Sequence, residues 1–405
     1  MREYSMTAIA VAAVLGIAGP TLAAGHYGPG VTDSEIKLGN TTPYSGPVSS
    51  VATTAKAELA YFAMVNAAGG VNGRKITFLS LDDAYSPSKT IEQTRKLVES
   101  DDVLAIVATP GTPTNMAILK YLNQKQVPNL LIGSGATVFD DPKTYPWSQP
   151  FTPSVDMEGR VYARYVLQAK PEGKIAILYQ NDDFGKGMLQ GFKKGLGAKA
   201  ASMIVREASY EVTDPTVDSQ IVTLQGSGAD VVMEIATPKF GAQAIRRVSD
   251  LGWKPLQLIN WASSSISGTL EPAGLEKAIG LLSAMVFKVP NDPTWKHDKD
   301  VQEYRAFLKR WYPDGDPADV YIVQGYIQAQ LTVMMLKACG DELTRENLMK
   351  QATSFRDTSV AMLMPGIKIE MRPGSYAMFH QLQMVQFDGK SWVRHGDVIS
   401  GDELK

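Results

Sequence analysis

Three stretches of the chain concentrate hydroxyl groups beside the beginnings of helices. They are Tyr44-Ser45-Gly46-Pro47-Val48-Ser49-Ser50, Thr109-Pro110-Gly111-Thr112-Pro113-Thr114-Asn115 and Gly133-Ser134-Gly135-Ala136-Thr137. Each follows a strand-like run. A helix N-terminus carries unpaired backbone N–H groups and the positive end of the helix dipole, so hydroxyls placed there suit a carboxylate or another anion. Any one of these loops is explained by Ser or Thr capping its own helix. Three on the same edge of a sheet point instead to a ligand, because open α/β sheets bind at the carboxyl ends of their strands. Three loops in the second half match them: Asn181-Asp182-Asp183-Phe184, Ala236-Thr237-Pro238-Lys239-Phe240 and Asn260-Trp261-Ala262-Ser263-Ser264-Ser265. These add aromatic surface to hydroxyls. Two such edges facing each other would form a cleft for a small molecule, with Ser50, Trp261 and Ser263 among its candidate contacts.

Other chemistries find less support. The four histidines, His26, His297, His380 and His395, fit no metal-ligand spacing, and the single Cys339 allows no intrachain disulfide and no cysteine-built zinc site. No metal or other cofactor is therefore expected. Gly185-Lys186-Gly187-Met188-Leu189-Gln190-Gly191 follows a strand, but its third glycine is one position late for a dinucleotide fingerprint. It reads as a helix start with small residues packed on the sheet. Asp82 and Asp83 are adjacent on a strand end, so they should point to opposite faces and act as solvated end charges rather than as a catalytic pair. No phosphate-binding loop and no nucleophile elbow occur.

The elements that must hold those loops follow from composition and period. Of 405 residues, 44% are hydrophobic and 20% charged, which suffices for the cores of two or three domains. The net charge of -2 lacks the basic excess of a nucleic-acid binder. Residues 1–24 pair a basic start with an uncharged apolar run from Thr7 to Ala18 and small residues at Ala23 and Ala24. That is the pattern of a signal peptide cleaved near Ala23/Ala24, the run being too short to span a bilayer. From Glu35 to Ile132 strand and helix patterns alternate, which implies a parallel doubly wound sheet. From Val155 to Ile259 the alternation restarts. A strand is expected within Ala278–Phe287, helices over Asp298–Trp311 and Val320–Ala338, and hairpin material over Ile367–Met384 and beyond, with turns at Arg372-Pro373-Gly374 and Asp388-Gly389. A tail mixing helices with late strands suits a chain that returns to both halves. The expected domains are 25–150 plus 287–357 and 151–286 plus 358–405.

The runs IKLGNTTPYSGPVS, NAAGGVNGRKITFLSLDDAYSPSKTIEQTRKLVESDDV and KIAILYQNDDFGKGM resemble type I periplasmic binding proteins of the leucine/isoleucine/valine kind, and the resemblance extends over the whole mature chain. It implies an α/β fold of two Rossmann-like lobes joined by a three-crossing hinge, and a periplasmic, monomeric protein that hands a small carboxylate to the membrane permease of an ABC importer. Carried over residue by residue, the family's hydroxyl-rich carboxylate loop falls on Thr112, Thr114 and Asn115. Its second carboxylate loop falls on Gly135, Ala136 and Thr137, its aromatic from the second lobe on Phe184, and a further wall position on Thr237.

One departure bears on the ligand. Amino-acid binders of the family place an acid, for the ammonium group, where this chain has Ser263-Ser264. An ammonium closed into a cleft without an anion is costly, so Asp182, Asp183 or Glu234 would have to substitute. Otherwise the ligand is an aromatic or aliphatic acid or an amide. A periplasmic sensor with the same fold and, less in keeping with the missing nucleophile–base motif, a secreted α/β enzyme are the alternative readings.

Overall fold

The computed structural model describes residues 25–404. The segment read as a signal peptide lies outside the described residues. Two separate sheets form the frame. The first runs in the order β3-β2-β4-β5-β6 and is parallel throughout, with β2 at Glu35–Thr42, β3 at Lys75–Asp82, β4 at Ala105–Val107, β5 at Asn129–Ile132 and β6 at Ser148–Pro150. The second runs β14-β13-β11-β10-β9-β7-β8, with β7 at Ile175–Gln180, β8 at Ile204–Tyr210, β9 at Val231–Ile235, β10 at Leu256–Ile259 and β11 at Leu282–Met285. Its last two strands, β13 (Gln381–Phe387) and β14 (Trp392–Ser400), are antiparallel additions to the edge. Two residues of β1 (His26–Tyr27) pair with β12 (Glu342–Leu343), tying the start of the described chain to its late part.

The parallel strands read as continuous apolar runs because helices cover both faces. In the first lobe these are α1 (Thr53–Ala67), α2 (Pro87–Arg95), α3 (Thr112–Gln124) and, returning late, α10 (Lys299–Trp311), α11 (Val320–Ala338) and α12 (Arg345–Ala352). In the second they are α4 (Val155–Ala169), α5 (Asp183–Leu196), α6 (Ala200–Met203), α7 (Asp218–Gln225), α8 (Pro238–Asp250) and α9 (Glu271–Ala273). The glycine-rich run of α5 packs tightly. A methyl group on Gly191 would lie 2.3 Å from the Asp156 carbonyl oxygen of α4, and one on Gly159 2.5 Å from that of Met188. Close helix approach, not phosphate binding, accounts for those glycines.

The chain crosses between lobes after β6, after β11 and after α12. The second and third crossings pair, with Lys288 N–H donating to the Met362 carbonyl (2.8 Å) and Met364 N–H to that of Val286 (2.9 Å). Phe151 of the first crossing stacks on Phe287 of the second at 6.0 Å, and Phe379 meets both rings edge-on. Lys288 is closed in by Asp298 and Asp300, at 2.9 and 2.8 Å, and by the Trp295 ring.

Two expectations need correction. Residues 367–380 form isolated bridges rather than a ladder, although the turn at Arg372-Pro373-Gly374 does form, closed by Ser375 N–H on the Arg372 carbonyl (3.1 Å); the segment is held by Asp140, which accepts from Ser375 Oγ and from the N–H groups of Tyr376 and Ala377. The hairpin turn at Asp388-Gly389 forms, between β13 and β14. Asp83 is buried rather than solvated. It accepts the N–H of Tyr85 (2.9 Å) and the hydroxyl of Thr90 (3.0 Å), while its exposed neighbour Asp82 takes the hydroxyl of Ser45 (2.6 Å).

Candidate functional site

Both sheets share one topology in their parallel part. In each, the first strand has the second strand on one side and the third on the other, so the winding direction reverses between first and third, at β2/β4 and at β7/β9. Helices leave opposite faces there and a crevice opens at the carboxyl edge. The two crevices face each other. Between them lies a cavity with about 640 Å³ of non-atom space, counted out into its open mouth, at the strand-end position where open α/β sheets bind small molecules.

The first lobe supplies most of the polar wall. Thr112 opens α3, and its hydroxyl lies 2.6 Å from that of Ser134 on the loop after β5. Ser134 Oγ also accepts the Ala136 N–H (3.3 Å). One proton of the hydroxyl pair stays available to an anion, beside the orphan N–H groups of the first helical turn. Gly111 makes this possible. Its φ of 95° is open to glycine, and a methyl group there would lie 2.3 Å from the Tyr85 ring. Tyr85 is presented by a turn in which both Ala84 (φ 51°) and Tyr85 (φ 58°) are left-handed, a conformation held by Asp82 and Asp83. Thr54, Thr152 and Gln324 also face the cavity, and none makes a side-chain hydrogen bond to another described residue.

The second lobe supplies flat apolar surface: Phe184, Pro238, Trp261 and Ala262. Trp261 is held from behind, since its backbone N–H donates to Glu158 (2.8 Å) and its ring meets Phe287 of the hinge edge-on at 6.1 Å. Glu158 is fully buried. Desolvation pushes its carboxyl up to about 7, against the hydrogen bonds from Trp261 and Tyr162. Across the cleft, Tyr321 donates its hydroxyl to the Ala262 carbonyl, and Ser265 Oγ donates to Asp319 (3.1 Å). The lobes are thus in contact around the cavity.

Of the residues picked from sequence, Thr112, Gly135, Phe184, Thr237 and Trp261 line the cavity. The other six lie elsewhere. Thr114 is fully buried, and its hydroxyl is directed at the carbonyls of Pro110 (2.6 Å) and Gly111 (3.0 Å). Asn115 donates its amide to Thr109 and Gly111. Ser263 donates to the Ala236 carbonyl. Ala136 sits one residue behind Gly135, Thr137 is exposed, and Ser50 faces Gly268 of the other lobe. The acids suggested as ammonium partners are also turned away. Glu234 is buried in the second sheet and receives Gln257 (2.7 Å), with burial pushing it up to about 8. Asp183 is exposed, and Asp182 caps α5 through Gly185 N–H (3.0 Å). Among the described residues no charged side chain lines the cavity, and no group of acids, histidines or cysteines is placed to hold a metal.

Sequence reasoning passed over Tyr85, Thr54, Thr152, Tyr321 and Gln324. Gln324 left a trace: it is a polar residue inside the apolar run Val320–Tyr326 of α11.

Fold and site together define a two-lobed protein with a cavity between the switch-point loops of its lobes. The chain belongs to the periplasmic binding protein family, whose model matches residues 35–391. It is 24% identical over 265 residues to a Leu/Ile/Val-binding protein homolog 7 of Brucella suis, covering 64% of this chain and 63% of that one, so the match spans just under two thirds of that relative. Two solved structures share the fold. A branched chain amino acid ABC transporter protein from Thermus thermophilus with bound valine has a TM-score of 0.81 at 16% identity, over 91% of this chain and 97% of its own. A solute binding protein of an R. palustris ABC transporter in complex with benzoate has 0.76 at 19%, over 91% and 98%. No described helix is long and apolar enough to cross a membrane.

Proposed function

We propose that this protein is the periplasmic substrate-binding component of an ABC importer, not an enzyme, and that it captures a small organic acid without an ammonium group. The observation that carries the reading is the make-up of the cavity wall: an anion-attracting pole at Thr112, Ser134 and the α3 N-terminus, aromatic surface opposite, and no acid in contact with the space between. A carboxylate gains charge-assisted hydrogen bonds at that pole. An apolar or aromatic tail gains contact with Phe184 and Trp261. An ammonium would lose its water without gaining a counter-charge. Similarity to both valine- and benzoate-bound proteins is compatible with either tail.

Ligand contact with both lobes favours the closed arrangement, which is the form a permease would receive. Matched pairs test the ligand class: leucine against 4-methyl-2-oxopentanoate, and phenylalanine against phenylpyruvate, by thermal shift and calorimetry. The oxo acids should raise the melting temperature more than the amino acids. A clear preference for the amino acids would refute the ammonium-free reading. Co-purification of permease subunits with the ligand-loaded protein tests the transport role against that of a sensor.

A further inference from the structure

We infer that Asp319 is a latch between the two lobes: it caps α11 in the first lobe, holds a hydroxyl of the second, and couples closing of the cleft to the uptake of a proton. This adds a regulation to the proposed function, and it holds for any ligand that closes the lobes, whatever its class. Asp319 and Ser265 lie outside the cavity wall, so the coupling acts through the lobes and not through contact with the ligand.

Asp319 stands at the start of α11 and is 3% exposed. Its Oδ1 accepts the Tyr321 backbone N–H (3.0 Å) and, from across the cleft, the hydroxyl of Ser265 (3.1 Å). Its Oδ2 accepts the hydroxyl of Thr53 at the start of α1 (2.8 Å). The direction of the Ser265 bond is fixed from its other side. Ser265 Oγ already accepts the Gly268 N–H (3.0 Å), as the cap of its own turn, so its proton is the part that meets Asp319. Two more contacts join the same loop to the first lobe. Tyr321 donates its hydroxyl to the Ala262 carbonyl, and Gly268 packs so near Ser50 that a methyl group on it would lie 3.1 Å from the Ser50 Cβ. Tyr321 and Ala262 both line the cavity. Asp319 thus holds the backbone of one wall residue and, through Ser265, the loop that carries its partner.

The surroundings of this carboxyl make closing sensitive to its charge. The charged group it faces is another acid, Asp316, in the loop before α11. Tyr304 of α10, Tyr312 just after α10 and Tyr321 of α11 face it as phenols that burial keeps neutral. From α1 and from the second lobe it meets the hydroxyls of Thr53 and Ser265. Closing exchanges the water on one side of the carboxylate for a single hydroxyl donor, with no cation among these neighbours to offset the loss. Desolvation pushes Asp319 up to about 6, against the hydrogen bonds from Tyr321, Thr53 and Ser265. With the lobes apart the water returns, and the carboxyl falls toward its ordinary range. A group that holds its proton more tightly in the closed form favours closing at low pH. That contribution falls as pH rises from the open-form value to the closed-form value, and it is gone above the latter. Glu158 and Glu234 take their bonds from within the second lobe, so closing leaves their surroundings as they were.

The test is calorimetry of the full mature protein with 4-methyl-2-oxopentanoate and phenylpyruvate, in buffers of differing ionisation enthalpy. The wild type should bind about fourfold more tightly at pH 5.5 than at pH 7.5 and take up about half a proton near pH 6. Asp319→Asn keeps an oxygen for Ser265 and the Tyr321 N–H. Its amide can donate to Thr53, whose own proton has the Ser50 carbonyl (3.1 Å) as a second acceptor. This variant should lose both the pH dependence and the proton uptake, and bind more tightly than the wild type at pH 7.5. Ser265→Ala leaves the α11 cap in place; it should weaken binding a few-fold at pH 7.5 and less at pH 5.5. Affinity that is independent of pH in the wild type, or a dependence that survives Asp319→Asn, overturns the inference and leaves the organic-acid reading standing. If neither acid binds, that reading falls, and small-angle scattering of the protein alone decides the latch. The wild type should then be more compact at pH 5.5 than at pH 7.5, and Asp319→Asn should remove the difference; matching wild-type curves at the two pH values overturn the inference.

Discussion

The two walls of the cleft are built on the same strand order and the same switch point, yet they present different chemistry. In the first lobe the loops after β4 and β5 bring two hydroxyls within 2.6 Å of each other at a helix N-terminus. In the second, the loops after β7 and β10 bring Phe184 and Trp261, and the loop after β9 brings Thr237, whose hydroxyl is bonded inward. Topology decides where a site lies; the few residues that follow each strand decide what it holds. The fully buried glutamates differ as well. Glu58 of α1 is fully buried with neither carboxylate oxygen hydrogen-bonded to a described residue, whereas Glu234 and Glu158 each have donors.

The sharpest way to break the first wall is at its glycine. Gly111→Ala forces a Cβ into the Tyr85 ring and a left-handed alanine at once. Strain and overpacking together should cost about 4 kcal/mol of stability. Denaturant unfolding that shows less than about 1 kcal/mol would mean that Tyr85 swings away freely.

The buried acids give the next effect. Burial raises Glu234 to about 8 and Glu158 to about 7, and raises Glu58 as well. A carboxyl that holds its proton more tightly when folded favours the folded state at low pH. Its contribution falls as pH rises from the unfolded carboxylate range toward the folded value, and then levels off. Stability should therefore decline from about pH 5 to pH 8, by several kcal/mol in total. Glu58→Gln and Glu234→Gln should each flatten the profile, and comparing the two weighs one lobe against the other. A profile unchanged in both variants would show that these acids ionise without penalty.

Loss of the hydroxyl pole is smaller. Thr112→Val should weaken a bound organic acid by about 1.5–3 kcal/mol, the worth of a hydrogen bond to a charge. Thr137→Val, at an exposed position, should leave calorimetric affinity unchanged. Equal effects of the two would place the anion elsewhere. The smallest effect is expected between the lobes. Ser265→Ala removes the bond to Asp319 across the cleft and should weaken binding by about 1 kcal/mol, read as a few-fold change in affinity. If binding tightens instead, that contact holds the lobes in a less competent arrangement.

Much of this was legible in the chain itself. Runs such as Lys75–Leu81 and Lys174–Tyr179 are strands because they are short and rich in branched apolar residues, and the alternation with helices fixes a parallel sheet. The switch-point rule then places the ligand edge and the loop that carries Trp261, and the family resemblance singles out Thr112, Gly135, Phe184 and Thr237 along it. The same rule could not distinguish Thr112 from Thr114. The two stand two residues apart at one helix start, and rotation about the helix axis turns one hydroxyl to the cavity and the other to its own loop. Residues 367–380 were misread for a related reason: a strand-like pattern forms a ladder only if a partner edge is free.

The sequence by itself determined the class of the protein, the two α/β halves and the edge of each sheet that faces a ligand, because these depend on local period and on strand order. Only the tertiary structure decided which side chains meet in the cavity. Gln324 arrives from a helix more than 180 residues beyond the loop of Ser134. Asp182, the acid in the loop after β7, faces Gln180 rather than the ligand space. Direction of a side chain, and the partner that already holds its proton, are properties of the packed molecule, since each is settled by groups far away along the chain.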